Sequence, residues 1–286
     1  MSWQILIGIS VLIYSVSVLM QRVLLKEDKS DPISFSIFFQ IGVAFVTTIL
    51  VLLINGSIPI PDLANISWSV VVMTVLYALA NIFIFKSLKT TEASNFTIIF
   101  SSKTLFAVLG SIFVFKENLS VDKLFGVLLI LIGVVVVSIK KFELKFKQGE
   151  IYAFLAAIAF GLANTNDGFL VKFFDPYSYV VIGFLLPGIL IAIIYPKKLS
   201  NVKDYLKKNI VWKMALLCGL YGISAVAFFA ALQVVPNVSQ AFAINAFGGV
   251  LTVILSVILL KEKDNLPRKI IGAILSLVGV LLVNGL

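Results

Sequence analysis

Apolar residues run along the chain in blocks of about twenty, separated by short polar stretches. An α-helix needs about twenty residues to cross roughly 30 Å of hydrocarbon, whereas the strands of a membrane barrel are about ten residues long and alternate in polarity. The blocks therefore predict ten transmembrane helices, over residues 3–25, 33–54, 66–86, 93–115, 121–139, 149–172, 176–195, 209–232, 237–260 and 266–284. Pro32, Pro176, Pro236 and Pro267 stand near span starts, where a missing N–H costs little. Asn55 to Pro61, with Gly56 and Pro59, marks a clear break. Residues 196–208 form the longest polar connection, and Leu199, Val202 and Leu206 recur there at helical spacing among lysines. That pattern predicts a short helix lying on the membrane surface.

Composition agrees with the blocks. The 286 residues are 60% hydrophobic and 13% charged, with no histidine, and the mean hydropathy is +1.09. Such a chain is too apolar for a water-soluble domain or for disorder, so the fold class is all-α integral membrane. The N-terminal segment carries its positive charges after the apolar run, which predicts a retained span and not a cleaved signal. The net charge of +9 resides largely in lysines between spans, a mark of membrane orientation and not of a nucleic-acid surface. Nineteen of the 23 lysines and arginines fall on or beside alternate connections, which places that side in the cytoplasm and both termini outside.

The second half of the chain repeats the first. Phe115-Lys116-Glu117, Gly126 and Gly133 return as Leu260-Lys261-Glu262, Gly272 and Gly279. In each copy the glycines are seven apart, on one helix face where another helix can approach closely. Setting residue 5 against residue 151 pairs Tyr14 with Phe160 and Gln21 with Asp167; Asp31-Pro32 then meets Asp175-Pro176, and Tyr77 meets Tyr221. Units of five spans are odd, so two copies in one chain cross the membrane in opposite directions. Residues 1–145 and 146–286 are thus expected to be inverted five-helix repeats, an architecture that lets a central site open to either side in turn.

With these motifs the whole chain resembles the EamA-like group of the drug/metabolite transporter superfamily. The carrying stretches are Phe85 to Glu117 and Phe229 to Glu262, each with a short turn near Ala93-Ser94 or Val238-Ser239, an apolar span and the Lys-Glu pair, followed by the paired-glycine helices. Family members typically carry a proline early in the fourth and ninth spans, where this sequence has Ser102-Lys103-Thr104 and Phe247-Gly248-Gly249. The resemblance implies ten spans in a plasma membrane and secondary transport, often export, of amino acids and other small metabolites. It does not select among substrates.

Lys103 is the sharpest chemical signal. It lies about ten residues into the fourth span, roughly 15 Å from either end at 1.5 Å per residue, too deep for a side chain of about 6 Å to reach water easily. It reads as a ligand for a substrate carboxylate or a proton-exchanging group, or as a structural lysine bonded to backbone carbonyls. Asp167 is the one carboxylate well inside a span and shares a helix face with Asn164. It is either a counter-ion to Lys103, a coupling group that takes up protons, or a helix-end acid pairing with Lys172. Tyr14, Tyr77, Tyr221 and Phe160 each fall about eleven residues into their spans, near the midplane, where a hydroxyl needs a polar partner or a cavity. Asn81, Ser224 and Asn245 are candidate partners. Glu117 and Glu262, at span ends beside lysines, read as solvated loop charges.

Without histidine, a cysteine pair or a cluster of intramembrane acids, metal, haem and disulfide chemistry lack ligands, and there is no Walker sequence for ATP. No cofactor and no catalysis are expected. The reading is a secondary active transporter that exports small polar metabolites such as amino acids across the plasma membrane by alternating access. Its cavity is lined by spans one, three, four, six, eight and nine, and its substrate-binding candidates are Lys103, Tyr14, Tyr77, Asn81, Tyr221, Asn245 and Asn164. Its partners are a small-molecule substrate and the lipid bilayer, with protons a candidate coupling ion; monomer and homodimer both stay open. An uptake permease for an organic solute and a non-transporting membrane sensor or assembly component are the alternatives.

Overall fold

A computed structural model describes residues 2–26, 30–62, 64–115, 121–140, 143–144, 147–235 and 238–283. Helices occupy the predicted apolar blocks: α1 Trp3–Lys26, α2 Pro32–Asn55, α3 Ser67–Thr90, α4 Ala93–Phe100, α5 Lys103–Phe115, α6 Val121–Ser138, α7 Gln148–Leu170, α8 Pro176–Ile194, α9 Leu199–Val202, α10 Lys208–Val234, α11 Val238–Leu259 and α12 Leu266–Val283. Among the described residues, α1, α2, α3, α8 and α10 are long and apolar enough to cross a membrane. Among the described residues the one strand pairing is the short hairpin of Ile139–Lys140 against Glu143–Leu144. Helices suit a lipid environment because each backbone polar group is paired within its own segment.

Asp-Pro starts two of the helices in the same way. The Asp31 carboxylate accepts the Ser34 N–H at 2.8 Å ahead of Pro32, and Asp175 accepts the N–H groups of Tyr177 and Ser178 ahead of Pro176. Gly56 ends α2 with φ 71° and donates to the Leu52 carbonyl at 3.0 Å, a conformation that favours glycine.

The fourth span departs from expectation, being two helices and not one. Ser101 and Ser102 return their hydroxyls to the carbonyls of Ile98 and Ile99 at 2.6 and 2.7 Å. Ser102, Thr104 and Leu105 N–H groups bond three residues back, as in a 3₁₀ turn. Adjacent serines that compete for the carbonyls of the preceding turn break the helix there, and α5 begins at Lys103. The 196–208 connection also differs: it is a 3₁₀ turn at Pro196–Lys198, the single turn α9, and a second 3₁₀ turn at Lys203–Leu206. Val202 and Tyr205 are its inward side chains, while Leu199 and Leu206 are exposed. The Tyr205 hydroxyl donates to the Asp31 carbonyl and Lys198 pairs with the Asp31 carboxylate at 2.8 Å, so the segment is fastened to the start of α2.

Helices pack in pairs: α1 against α10 and α11, α2 against α8, α3 and α5 against α7, α6 against α12. Each pairing is made by named contacts. Ser10 and Ser224 exchange hydroxyl-to-carbonyl bonds of 2.8 and 2.9 Å between α1 and α10. Thr165 donates to the Ala107 carbonyl at 3.2 Å between α7 and α5. The paired glycines form the α6–α12 contact: a Cβ at Gly133 would lie 2.8 Å from the Gly272 carbonyl, and one at Gly279 would lie 2.5 Å from the Gly126 carbonyl and 2.8 Å from Ile130. The order of these contacts runs the two helices antiparallel.

Gly279→Val should therefore lower stability by about 1–3 kcal/mol through overpacking, read as a lower thermal-unfolding midpoint in detergent. Gly8→Ala, where a Cβ meets nothing within 4 Å, should leave the midpoint unchanged. Acid should weaken the α2 cap. Partial burial pushes the Asp31 carboxyl up, but Lys198 and the two Ser34 hydrogen bonds outweigh it and hold it below its ordinary value. Its contribution is full above the unfolded carboxylate value of about 4 and is lost as pH falls through the lower folded one. The Asp31→Asn protein should accordingly lose less stability than wild type between about pH 5 and pH 3.

Candidate functional site

The break in the fourth span sets the Lys103 side chain at the start of α5, against α7. Its Nζ lies 4.8 Å from the ring centroids of both Phe100 and Phe160, within cation–π range. Among the described residues it forms no ion pair. Phe160 in turn meets Phe100 and Tyr77 edge-on, each at 5.2 Å. Small residues let α7 come this close: a Cβ at Gly161 would lie 2.7 Å from Phe106 Cβ and 3.1 Å from the Ala107 nitrogen.

Asp167 is not the counter-ion of Lys103, nor does it pair with Lys172. Its two carboxylate oxygens accept the hydroxyls of Tyr77 from α3 and Tyr179 from α8, and it is 7% exposed. Two phenols hold the charge in place of a cation. Tyr179, 2% exposed and packed edge-on against Phe229 at 4.9 Å, is the partner that sequence reasoning missed. It stands near the start of its span, where a tyrosine reads as part of an interfacial belt.

The remaining candidates divide. Tyr14 and Tyr221 meet at 5.9 Å, and Tyr221 also packs edge-on against Phe39 at 4.9 Å and Phe184 at 5.6 Å. Tyr14, Phe160 and Tyr221, all half-buried, lie against one aromatic core that includes Phe35, Phe39, Phe85 and Phe100. Asn81 is buried, but its amide donates to the Tyr77 carbonyl one turn back at 2.9 Å and does not reach the Tyr77 hydroxyl. Ser224 serves Ser10 and not Tyr221. Asn164 and Asn245 are half-buried and form no hydrogen bond with another candidate.

A second polar centre lies where α1, α3, α4 and the α11–α12 connection converge, at the lysine-rich end. Lys261 takes a left-handed backbone (φ 55°), which turns Glu262 back until its N–H reaches the Ser256 carbonyl at 3.3 Å. The Glu262 side chain, 8% exposed, then accepts the N–H groups of Ala93 and Ser94 at 3.0 and 3.2 Å and the Ser94 hydroxyl at 3.0 Å. It caps α4 from another part of the chain, so its reading as a solvated loop charge is wrong; Glu117 lies outside the described residues. Arg22 approaches Glu262 at 3.9 Å and donates to the Leu88 and Lys89 carbonyls that end α3. Lys269, 2% exposed, pairs with Glu92 at 2.7 Å and donates to the Glu262 carbonyl at 2.7 Å. A polar cavity of about 130 Å³ adjoins this network, lined by residues of both charge signs including Arg22, Glu92, Lys147 and Arg268.

Glu262→Ala should strip three donors and the Arg22 guanidinium of their partner and cost about 3 kcal/mol of stability. Lys263→Ala, on the exposed side of the same turn, should cost nothing measurable in the same thermal-unfolding assay.

Comparison with known proteins bears on this arrangement. The model of the EamA-like transporter family matches the chain twice, over residues 1–139 and 147–285. Two proteins of Helicobacter pylori, each described as an uncharacterized transporter, are 31% (strain J99) and 30% (strain 26695) identical over 131 residues. Those alignments cover 46% of this chain and 43% of each relative, so the match spans under half the length of either protein. One solved crystal structure is 15% identical with a TM-score of 0.59, covering 98% of this chain and 95% of the other, a likeness of fold alone.

Proposed function

The chain belongs to the EamA-like transporter family, within the drug/metabolite transporter superfamily, and from that membership we propose a secondary active transporter that exports small polar metabolites of amino-acid size by alternating access. It is a multi-pass membrane protein, and its family points to transport and not to catalysis. In this reading residues 1–145 and 146–286 are two inverted five-helix repeats, with α4 and α5 together forming the fourth span, set in a plasma membrane with both termini outside. Packing supports the repeat. Exchanging each helix for its counterpart turns the α1–α10 contact into α7–α3 and the α1–α11 contact into α7–α5, and maps α2–α8 and α6–α12 onto themselves. The two family matches, one per half, agree with it.

The observation that carries the functional reading is Lys103, an ammonium deep in the fourth span that is half-buried among aromatic rings with no acid beside it. Charges of this kind within membrane segments face a water-filled path or a ligand, because hydrocarbon gives them no partner. Tyr14, Tyr77 and Tyr221 line the same interior, with Asn164 and Asn245 as further polar contacts and Asn81 supporting the turn that carries Tyr77. Asp167, gripped by two phenols, is the coupling candidate, since protonation would turn one of its two accepting oxygens into a donor and weaken its link to Tyr77 of α3 or Tyr179 of α8. The fifth and tenth spans, α6 and α12, serve as scaffold through their glycine contact.

Purified protein in liposomes, loaded with metabolites chosen by thermal-shift screening, should show flux that the Lys103→Met variant loses by at least about tenfold, the scale of one strong charged contact. The variant should elute as folded protein with an unfolding midpoint close to wild type. Undiminished flux through it would remove Lys103 from the mechanism.

A further inference from the structure

Resting on that reading of the central site, we infer that the substrate is a small organic monoanion, a carboxylate without an accompanying ammonium group, and not a zwitterionic amino acid. The inference follows from how the intramembrane charges are already partnered. The chain has 14 acidic residues, and all but Asp167 lie at helix ends or in connections by their place in the sequence. Asp167 is the one acid near enough in depth to answer a cation at the centre, and both its oxygens are taken by Tyr77 and Tyr179 behind a 7% exposed surface. Among the described residues, Lys103 is left with three donors and no acid.

Aromatic faces do not remove this need. Phe100 and Phe160 stabilise the ammonium through their π-clouds but accept no N–H hydrogen bond of ordinary strength. In the turn before the lysine, the carbonyls of Ile98 and Ile99 already accept the Ser101 and Ser102 hydroxyls. A carboxylate arriving from outside would supply both the missing charge and the missing acceptors, in charge-assisted bonds about twice as strong as neutral ones.

An amino acid would bring its own cation into the same space. That ammonium would need an acid, and the site has none free. It would need an open aromatic face, and the two rings beside the carboxylate position already hold Lys103. The remaining polar groups, the phenols of Tyr14 and Tyr221 and the amides of Asn164 and Asn245, are neutral, and none of them offers a second buried cation the charge it needs. Removing the substrate ammonium removes that cost while leaving the Lys103 contact intact.

Matched pairs test this on the full-length protein: 3-phenylpropionate against phenylalanine, 4-methylpentanoate against leucine, and propionate against alanine. Calorimetric binding in detergent at neutral pH should favour at least one carboxylate over its amino-acid partner by about tenfold or more. Lys103→Gln should abolish that preference and Lys103→Arg should keep part of it, since Arg retains the charge. Equal or tighter binding of the amino acids overturns the inference, as does an unchanged preference in Lys103→Gln or silence from every carboxylate in a sample with a normal unfolding midpoint. Counterflow of the same compounds in liposomes separates this from the transport reading: carboxylate binding without flux keeps the anion site and rejects transport, whereas amino-acid flux keeps transport and rejects the anion.

Discussion

A cation placed among hydrocarbon must be paired or wetted, and the arrangement of this bundle turns on how that demand is met at Lys103. The lysine could have been silenced by Asp167, the one acid at comparable depth. Instead the acid is held by two tyrosines and the lysine by two phenylalanine rings, with Phe160 and Tyr77 in edge contact between them. Two opposite charges are thus kept apart by aromatic groups that stabilise each without neutralising either. The arrangement costs more than a direct ion pair would, and leaves the ammonium available to a third party.

How far this was legible in the sequence differs by kind of interaction. The helices were readable because twenty-residue apolar blocks have one solution in a bilayer. The glycines at 126, 133, 272 and 279 were readable as contacts because seven-residue spacing fixes a shared face, and the structure sets those faces against each other. Lys103 announced itself by depth alone. Pairings between distant segments were not readable. Tyr179 looked like an interfacial tyrosine until α8 brought it to Asp167. Glu262 looked solvated because its neighbours are lysines, and only the left-handed turn at Lys261 directs it inward to α4. Asn81, one turn beyond Tyr77, spends its amide on its own helix, a choice that helical periodicity does not predict. The break at Ser101-Ser102 was hidden for a related reason, since serine in an apolar run supports an unbroken helix as readily as a 3₁₀ turn.

The polar network at the lysine-rich end shows how converging helix ends are held together in this bundle. Glu262 caps α4, Arg22 covers the last carbonyls of α3, and Lys269 ties the α12 start to Glu92. Glu262 and Lys269 join helix ends from both halves of the chain, and Arg22, tied to α3 within the first half, faces Glu262 at 3.9 Å. Helix termini carry unsatisfied donors and acceptors that hydrocarbon cannot serve, so a convergence of termini is held by charges or not at all.

The two halves differ most where chemistry is concentrated. Elements that position helices recur in both: Asp-Pro caps before α2 and α8, paired glycines in α6 and α12, the Lys-Glu pair after the fourth and ninth spans. At the centre the copies part. By the same register Lys103 corresponds to Gly248, Asp167 to Gln21 and Phe160 to Tyr14. Where α5 starts with a lysine after a broken turn, α11 runs through unbroken, its Gly248 carbonyl accepting the Ser15 hydroxyl at 3.1 Å. Duplicated packing makes the frame close to symmetric, but a site built from one lysine and one acid cannot be. The charged centre draws Lys103 from the first half and Asp167 from the second, while Tyr14 and Tyr221, also one from each half, meet as a neutral pair.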